Sequence, residues 1–232
     1  MDLTSVYRDK SSSLTSKVTL ALLHLAIVVG VLWILFGNGS SIIDRMIGIE
    51  QQTGSTVRKS VLAMASVLYF LRSFPTLFVF MKRRMPWSEV ATVAVWVGIF
   101  NFLFAYIGSR SEIQFGVAGI LGSVLLVSGS VIHTGSEWQR HVWKQKPENK
   151  RHLFTGGLWN FSRHINYFGD IVLFTGWALL TGYLALLTIP LLMLCGFVFL
   201  NIPGQDQYLA ERYGEEYRSY ANDTARLIPF IY

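Results

Sequence analysis

The stretch that begins at Gly157, GLWNFSRHINYFGD, concentrates polar and aromatic side chains in a chain that is otherwise strongly apolar. Its members with usable chemistry are Trp159, Arg163, His164, Asn166 and Tyr167. The two rings offer flat faces, the two cations offer charge, and the amide can both donate and accept hydrogen bonds. Such a set could hold a planar ligand that carries phosphate. Trp, Tyr and Arg also collect at membrane interfaces, so an interfacial belt is the alternative.

A cation pair precedes this stretch, in the run IHTGSEWQRHVWKQK from Ile132 to Lys146. Arg140 and Lys144 are four residues apart, so they share one face of a helix. A guanidinium fork and an ammonium one turn apart suit a phosphate or pyrophosphate. The alternative is a basic stripe that faces anionic lipid headgroups. No second histidine stands at a metal-ligand spacing from His164, so we expect no metal site.

Two motifs resemble the C-terminal core of the sterol reductase family, the C14- and C7-type sterol reductases with lamin B receptor. The family signature reads roughly G-[FW]-W-x-x-x-R-H-x-N-Y-x-G-[DE]. It is matched here by Gly157, Trp159, Arg163, His164, Asn166, Tyr167, Gly169 and Asp170. The closing YGEEYRSYANDTARLIPFIY is similar to the family's Y-G-x-x-[WY]-x-x-Y tail. The broader superfamily also holds steroid 5α-reductases and isoprenylcysteine carboxyl methyltransferases that use S-adenosylmethionine.

The resemblance implies an NADPH pocket that opens to the cytoplasm. It places phosphate contacts at Arg140 and Lys144. The other cofactor-binding positions that it implies are Phe154, Trp159, Arg163, His164, Asn166, Tyr167, Asp206 and Tyr220.

The reaction that the resemblance implies is hydride transfer from NADPH to a carbon–carbon double bond of a sterol, steroid or isoprenoid-type lipid. A proton donor is also needed, and a carboxylic acid in an apolar site can serve because burial raises its pKa. Asp206 is the first candidate and Tyr69, on the second apolar run, is the second. Arg72 lies one turn from Tyr69 and, as an intramembrane cation, should face the protein interior or a wet cavity.

Two other functions stay open. An S-adenosylmethionine-dependent methyltransferase, acting on isoprenylcysteine or another lipid, would need no phosphate-binding cations, and its relatives differ at the position of Asn166. A non-catalytic membrane binding protein is the third possibility. The cation pair and the Asn166-Tyr167 pair favour the reductase.

Composition indicates a membrane protein. Of 232 residues, 52% are hydrophobic and 15% charged, far from a soluble average. The net charge of +6 comes with no nucleic-acid motif, so we expect no nucleic-acid partner. The single cysteine, Cys195, rules out a disulfide framework within the chain. The sequence does not define an oligomeric state.

About six transmembrane helices are predicted, in an all-α integral membrane fold. Four spans are predicted near residues 18–37, 60–81, 87–108 and 115–133. The long apolar run from 168 to 202 predicts two more, joined by a hairpin at Thr181-Gly182-Tyr183. We therefore expect two parts, namely substrate-side helices over 1–132 and a reductase-like core over 133–232.

The positive charges predict the orientation of these spans. The N-terminal segment with Arg8 and Lys10, the Lys82-Arg83-Arg84 loop, the loop around Lys146 and the tail from residue 204 all fall on one side. That side is predicted to be cytoplasmic, with both termini there. Arg58 and Lys59, at the head of the second span, break the rule. The compact size favours a bacterial inner membrane over the endoplasmic reticulum, and the substrate would enter from the bilayer.

Overall fold

A computed structural model describes residues 13–232, and in this part of the chain all regular secondary structure is helical, with no strand. Arg8 and Lys10, which entered the orientation argument, lie outside the described residues. The α-helices are α1 Leu14–Phe36, α2 Gly39–Ile47, α3 Thr56–Phe74, α4 Trp87–Ser109, α5 Val117–Lys144, α6 Ile165–Leu180, α7 Thr188–Gly196, α8 Ile202–Tyr213 and α9 Glu215–Asp223.

Five continuous helical segments are long and apolar enough to cross a membrane. They are Leu14–Phe36, Thr56–Phe80, Trp87–Ser109, Val117–Lys144 and Leu184–Tyr213, and the shorter Ile165–Leu180 is a sixth apolar helix. Two segments contain a wider π-helical turn, Pro75–Phe80 after α3 and Phe197–Asn201 between α7 and α8. The predicted all-α membrane fold is confirmed. The hairpin also lies where it was predicted, because α6 ends at Leu180 and the next helical turn begins at Leu184.

Arg58, the exception to the charge rule, is not a loop charge. Its side chain is buried, at 1% relative exposure. Its guanidinium donates to the backbone carbonyls of Leu180, at 2.5 Å, and Ile113, at 2.7 Å. Carbonyls at the end of a helix lack partners within that helix, so Arg58 satisfies the end of α6 from within the protein.

Helices α5 and α6 pack closely through glycines. A Cβ atom built on Gly129 would lie 2.5 Å from the carbonyl oxygen of Gly169, and one on Gly122 would lie 2.8 Å from that of Gly176. Small residues let helix backbones approach in this way where the surroundings are apolar. The close approach brings the C-terminal half of α5 against the N-terminal half of α6, where the signature stretch begins the helix.

Helix α5 is longer than a bilayer requires. Its 28 residues span about 42 Å at 1.5 Å each, whereas the hydrocarbon core is about 30 Å thick. The helix ends at Lys144, beyond residue 133, where the fourth predicted span ends. Its last turns therefore carry Arg140 and Lys144 beyond the apolar part of the bundle.

Candidate functional site

A cavity of about 490 Å³ lies at the end of the bundle where α5 terminates. Its walls come from the end of the Thr56–Phe80 segment and the loop that follows, from α5, from residues 153–167, from α8 and from α9. The predicted site residues that line it are Arg140, Lys144, Phe154, Trp159, Arg163, His164, Asn166, Tyr167 and Tyr220. The fold thus gathers residues that are up to 80 positions apart in the chain.

One stripe of α5 faces the cavity. His133, Glu137, Arg140 and Lys144 all line it, and their spacing of four, three and four residues places them on one helical face. Arg140 pairs with Glu137, and the Lys144 ammonium donates to the Tyr213 hydroxyl at 2.7 Å. The stripe therefore presents two cations beside one carboxylate.

The signature stretch is fixed against α5 and α9 through Trp159. Its indole N–H donates to the Ser136 carbonyl at 2.8 Å, and its own carbonyl accepts from the Tyr220 hydroxyl at 2.5 Å. The Arg140 guanidinium lies 4.8 Å from the centre of the indole ring, in cation–π range. Burial raises the pKa of Tyr220, so this phenol keeps the proton that it donates.

Asn166 offers an acceptor without a partner. Its amide Nδ2 donates to Glu137 Oε1 at 3.1 Å, which orients the side chain. Its Oδ1 is buried and has no hydrogen-bond partner among residues 13–232, and the same holds for Nε of Arg163. Buried polar atoms are usually paired, so both atoms suit a polar ligand in the cavity.

Asp206, predicted both to contact the cofactor and to donate a proton, lies behind the cavity wall and is not among the residues that line it. Oδ1 lies 2.7 Å from Nε2 of His164 and accepts from the Tyr217 hydroxyl at 2.5 Å. Oδ2 accepts from Nε of Arg226 at 2.9 Å. Burial first and the Asp206 carboxylate second raise the pKa of Tyr217. Asp206 is thus a hydrogen-bond acceptor that holds His164 and the chain end in place.

Tyr69, the second predicted proton donor, lies in the helical core and also does not line the cavity. Its ring packs edge-on against Phe174 and Trp177, at 5.5 and 5.6 Å between centroids. The Arg72 guanidinium lies 5.1 Å from the ring centre. Tyr69 therefore packs within the bundle.

Arg72 belongs to a buried charge cluster that reaches the cavity. It pairs with Asp170 at 2.8 Å, and the same Asp170 oxygen lies 3.0 Å from Nδ1 of His133. Nδ1 is also 3.2 Å from the Asn166 carbonyl oxygen. Both contacts therefore use Nδ1, and neither uses Nε2. Intramembrane charges are usually paired in this way.

His133 and Glu137 are not among the site residues predicted from the sequence. Their position on the Arg140–Lys144 face was a usable signal, because all four follow the helical repeat. The pairing of His133 with Asp170 had no such signal, since it depends on how α5 and α6 pack. Residues 13–232 contain no group of three or more His, Cys, Asp or Glu side chains that could hold a metal ion.

Comparison with known proteins assigns the family. Residues 90–224 match the family described as a protein of unknown function, DUF1295. The chain belongs to the DUF1295 family. The match covers α5, the signature stretch and all of α9, so the cavity lies largely within the family's domain.

Relatives of named function include enzymes of two kinds, sterol reductases and methyltransferases. The chain is 29% identical over 156 residues to a Delta(14)-sterol reductase of Ascobolus immersus, covering 60% of this chain and 36% of that protein. It is 27% identical over 135 residues to a Delta(14)-sterol reductase of Methylotuvimicrobium alcaliphilum, covering 50% and 31%. It is 32% identical over 121 residues to a protein-S-isoprenylcysteine O-methyltransferase of Saccharomyces cerevisiae, covering 48% and 49%. The chain thus spans about one third of the reductases' length and half of the methyltransferase's.

Proposed function

We propose that this protein is a membrane-embedded, NADPH-dependent reductase of a carbon–carbon double bond in a sterol, steroid or isoprenoid-type lipid. The observation that carries the proposal is the cavity in which Arg140 and Lys144 stand beside the Asn166-Tyr167 pair. Cations suit the phosphates of a dinucleotide, whereas S-adenosylmethionine carries no phosphate and is itself a cation. Similarity to sterol reductases supports the same choice.

The residues present fit NADPH. Arg140 and Lys144 would hold phosphate oxygens, and the unpartnered Oδ1 of Asn166 would accept from the carboxamide of a nicotinamide. Tyr167 lines the same wall, and its ring is held by stacking on Phe197 at 4.4 Å between ring centres. NADPH, when bound, supplies the hydride. The protein's tasks are to orient the double bond and to provide a proton.

We assign the proton to His133 rather than to Asp206 or Tyr69. His133 lines the cavity, and Asp170, held by Arg72, fixes its Nδ1 side. A carboxylate that holds one ring nitrogen leaves the other for chemistry, here Nε2. The Nε2 proton would pass to the carbon that does not receive the hydride. Water in the cavity would then supply a new proton to Nε2.

We further propose that the cavity faces the cytoplasm and that both termini lie on that side, in a bacterial inner membrane. Lys82, Lys144 and Lys146 lie at that end of the bundle, as the positive-inside rule requires. The lipid would enter from the bilayer, toward the end of the Thr56–Phe80 segment, where Thr76 and Phe80 line the cavity.

The function is tested with NADPH deuterated at C4 and protein in lipid nanodiscs. A panel of lipid alkenes that begins with Δ14-sterols is offered, and products are analysed by mass spectrometry. We expect NADPH to be consumed and the reduced lipid to gain one deuterium. The proposal would be contradicted if the protein transferred methyl groups from labelled S-adenosylmethionine and consumed no NADPH with any lipid of the panel.

One observation favours the methyltransferase as a second candidate. Glu137 is buried at 6% exposure, pairs with Arg140 and lines the cavity. A carboxylate there would stabilise a sulfonium and would neutralise part of the cation pair. In a methyltransferase, Glu137→Gln would weaken S-adenosylmethionine binding, whereas in a reductase it would leave NADPH binding equal or tighter.

A further inference from the structure

A second, smaller cavity of about 320 Å³ adjoins the first. Both are lined by Phe80, Lys82, Glu137, Arg140 and Lys144, and His141 and Gln145 complete the smaller one. The cation pair therefore stands at the boundary of two spaces. A ligand whose charge sits in its middle, with a flat group at each end, would place one end in each cavity.

The smaller cavity has a flat aromatic side. His141 stacks on Trp138, with 5.9 Å between ring centres and 29° between planes. Phe80 lies 5.8 Å from the same imidazole. Gln145 bonds to Nε2 of His141 at 2.9 Å, which fixes the ring's orientation. A held ring of this kind suits stacking by a purine base.

The same cavity carries a lysine that no signature motif includes. Lys82 is exposed and pairs with no carboxylate among residues 13–232, whereas the adjacent Arg83 is bound to both oxygens of Glu89 at 2.6 Å. The single carboxylate in the lining, Glu137, is already engaged by Arg140 and Asn166. Lys82 therefore offers a third positive charge, set apart from the Arg140–Lys144 pair along the cavity wall.

We propose that this second cavity binds the adenosine end of the dinucleotide, and that Lys82 contacts its 2′-phosphate and so selects NADPH over NADH. This inference rests on the proposed function. An ammonium recognises a phosphomonoester as a point charge. The stacked His141 ring would take the adenine, and the cation pair would take the pyrophosphate between the two cavities.

The test measures equilibrium binding of NADPH, NADH and 2′,5′-ADP to the purified protein. Binding is detected by tryptophan fluorescence or by calorimetry. We expect Lys82→Gln to weaken NADPH and 2′,5′-ADP by roughly tenfold, the effect of one charge-assisted hydrogen bond, and to leave NADH unchanged. Lys146→Gln removes the same charge nearby but outside both cavities, so it should change none of the three.

Equal losses for NADPH and NADH in Lys82→Gln, or no loss for either, would overturn the inference. Dioctanoyl phosphatidate tests a lipid phosphomonoester as the ligand instead. If Lys82→Gln abolishes its binding but leaves that of 2′,5′-ADP intact, the cavity serves a lipid headgroup and the inference is wrong. A wild-type protein that binds neither NADPH nor NADH overturns the proposed function separately, and 2′,5′-ADP binding that depends on Lys82 would still support the phosphate contact.

Discussion

At the residue scale, two histidines border the cavity and each is held by an aspartate, but their ring nitrogens differ in what they can do. In the first pair Asp170 binds Nδ1 of His133, so this contact does not engage Nε2. In the second pair Asp206 binds Nε2 of His164, whose stacking on Tyr167 at 5.7 Å fixes the ring as part of the wall. In the proposed mechanism the first pair exchanges a proton, whereas the second pair holds the cavity wall in shape.

His133→Gln should reduce turnover by about 100-fold or more, the usual contribution of a general acid, with NADPH affinity unchanged. His152→Gln is the matched control, because His152 is also near a carboxylate, Glu216 at 3.7 Å, but is exposed. Chemical rescue separates chemistry from packing. Imidazole should restore turnover to His133→Ala, whereas pyrazole, equal in size but unprotonated at neutral pH, should not. Full activity in His133→Gln would remove this residue from the mechanism.

Asp206→Asn should weaken NADPH binding. It should also lower the free energy of unfolding by about 1–3 kcal/mol, because buried hydrogen bonds are lost. The physical reason is that His164 and Arg226 both bind this carboxylate. Turnover at saturating NADPH should largely persist. The opposite pattern, normal affinity with no turnover, would restore Asp206 as the proton donor. Calorimetry and steady-state kinetics on the same preparation distinguish the two.

At the element scale, the site depends on the close packing of α5 and α6. Gly129 lies against the backbone of α6, one helical turn before His133. Any separation of the two helices would therefore move His133 away from Asp170. The glycine contacts between α5 and α6 therefore help to keep His133 beside Asp170.

Gly129→Ala should destabilise the protein by about 1–3 kcal/mol, the usual cost of overpacking. Gly135→Ala is the control on the same helix, because a Cβ there would meet only a Leu158 methyl group at 3.7 Å. That change should be neutral or stabilising, since alanine favours a helix over glycine. Thermal unfolding in detergent micelles measures both. Equal effects of the two substitutions would argue against the packing account.

The helices and the local motifs could be predicted because their signals are local. The apolar runs gave six helices and the hairpin at Thr181, and the linear signature placed Trp159 and Asn166 on the cavity wall. Contacts between distant segments could not be predicted in the same way. Asp206 follows the signature stretch by some forty residues, and only the packing of α8 behind His164 shows that it lies outside the cavity.

At the scale of the whole molecule, the cavity must open to the cytoplasm for NADPH to reach it. Lys82 and Gln52 flank the Thr56–Phe80 segment, so they lie on opposite sides. In a Cys195→Ser background, Lys82→Cys and Lys146→Cys should react with an impermeant maleimide only after cells are opened. Gln52→Cys should react in intact cells. The reverse pattern would place the cavity outside the cytoplasm and out of reach of NADPH.

The most direct test of the central claim is a calorimetric titration of the wild-type protein with NADPH and, separately, with S-adenosylmethionine. We predict saturable NADPH binding that Arg140→Gln and Lys144→Gln each weaken by about tenfold, while Lys150→Gln does not. Saturable binding of S-adenosylmethionine without NADPH would contradict the reductase and favour the methyltransferase. Binding of neither would leave a membrane protein without this cofactor chemistry.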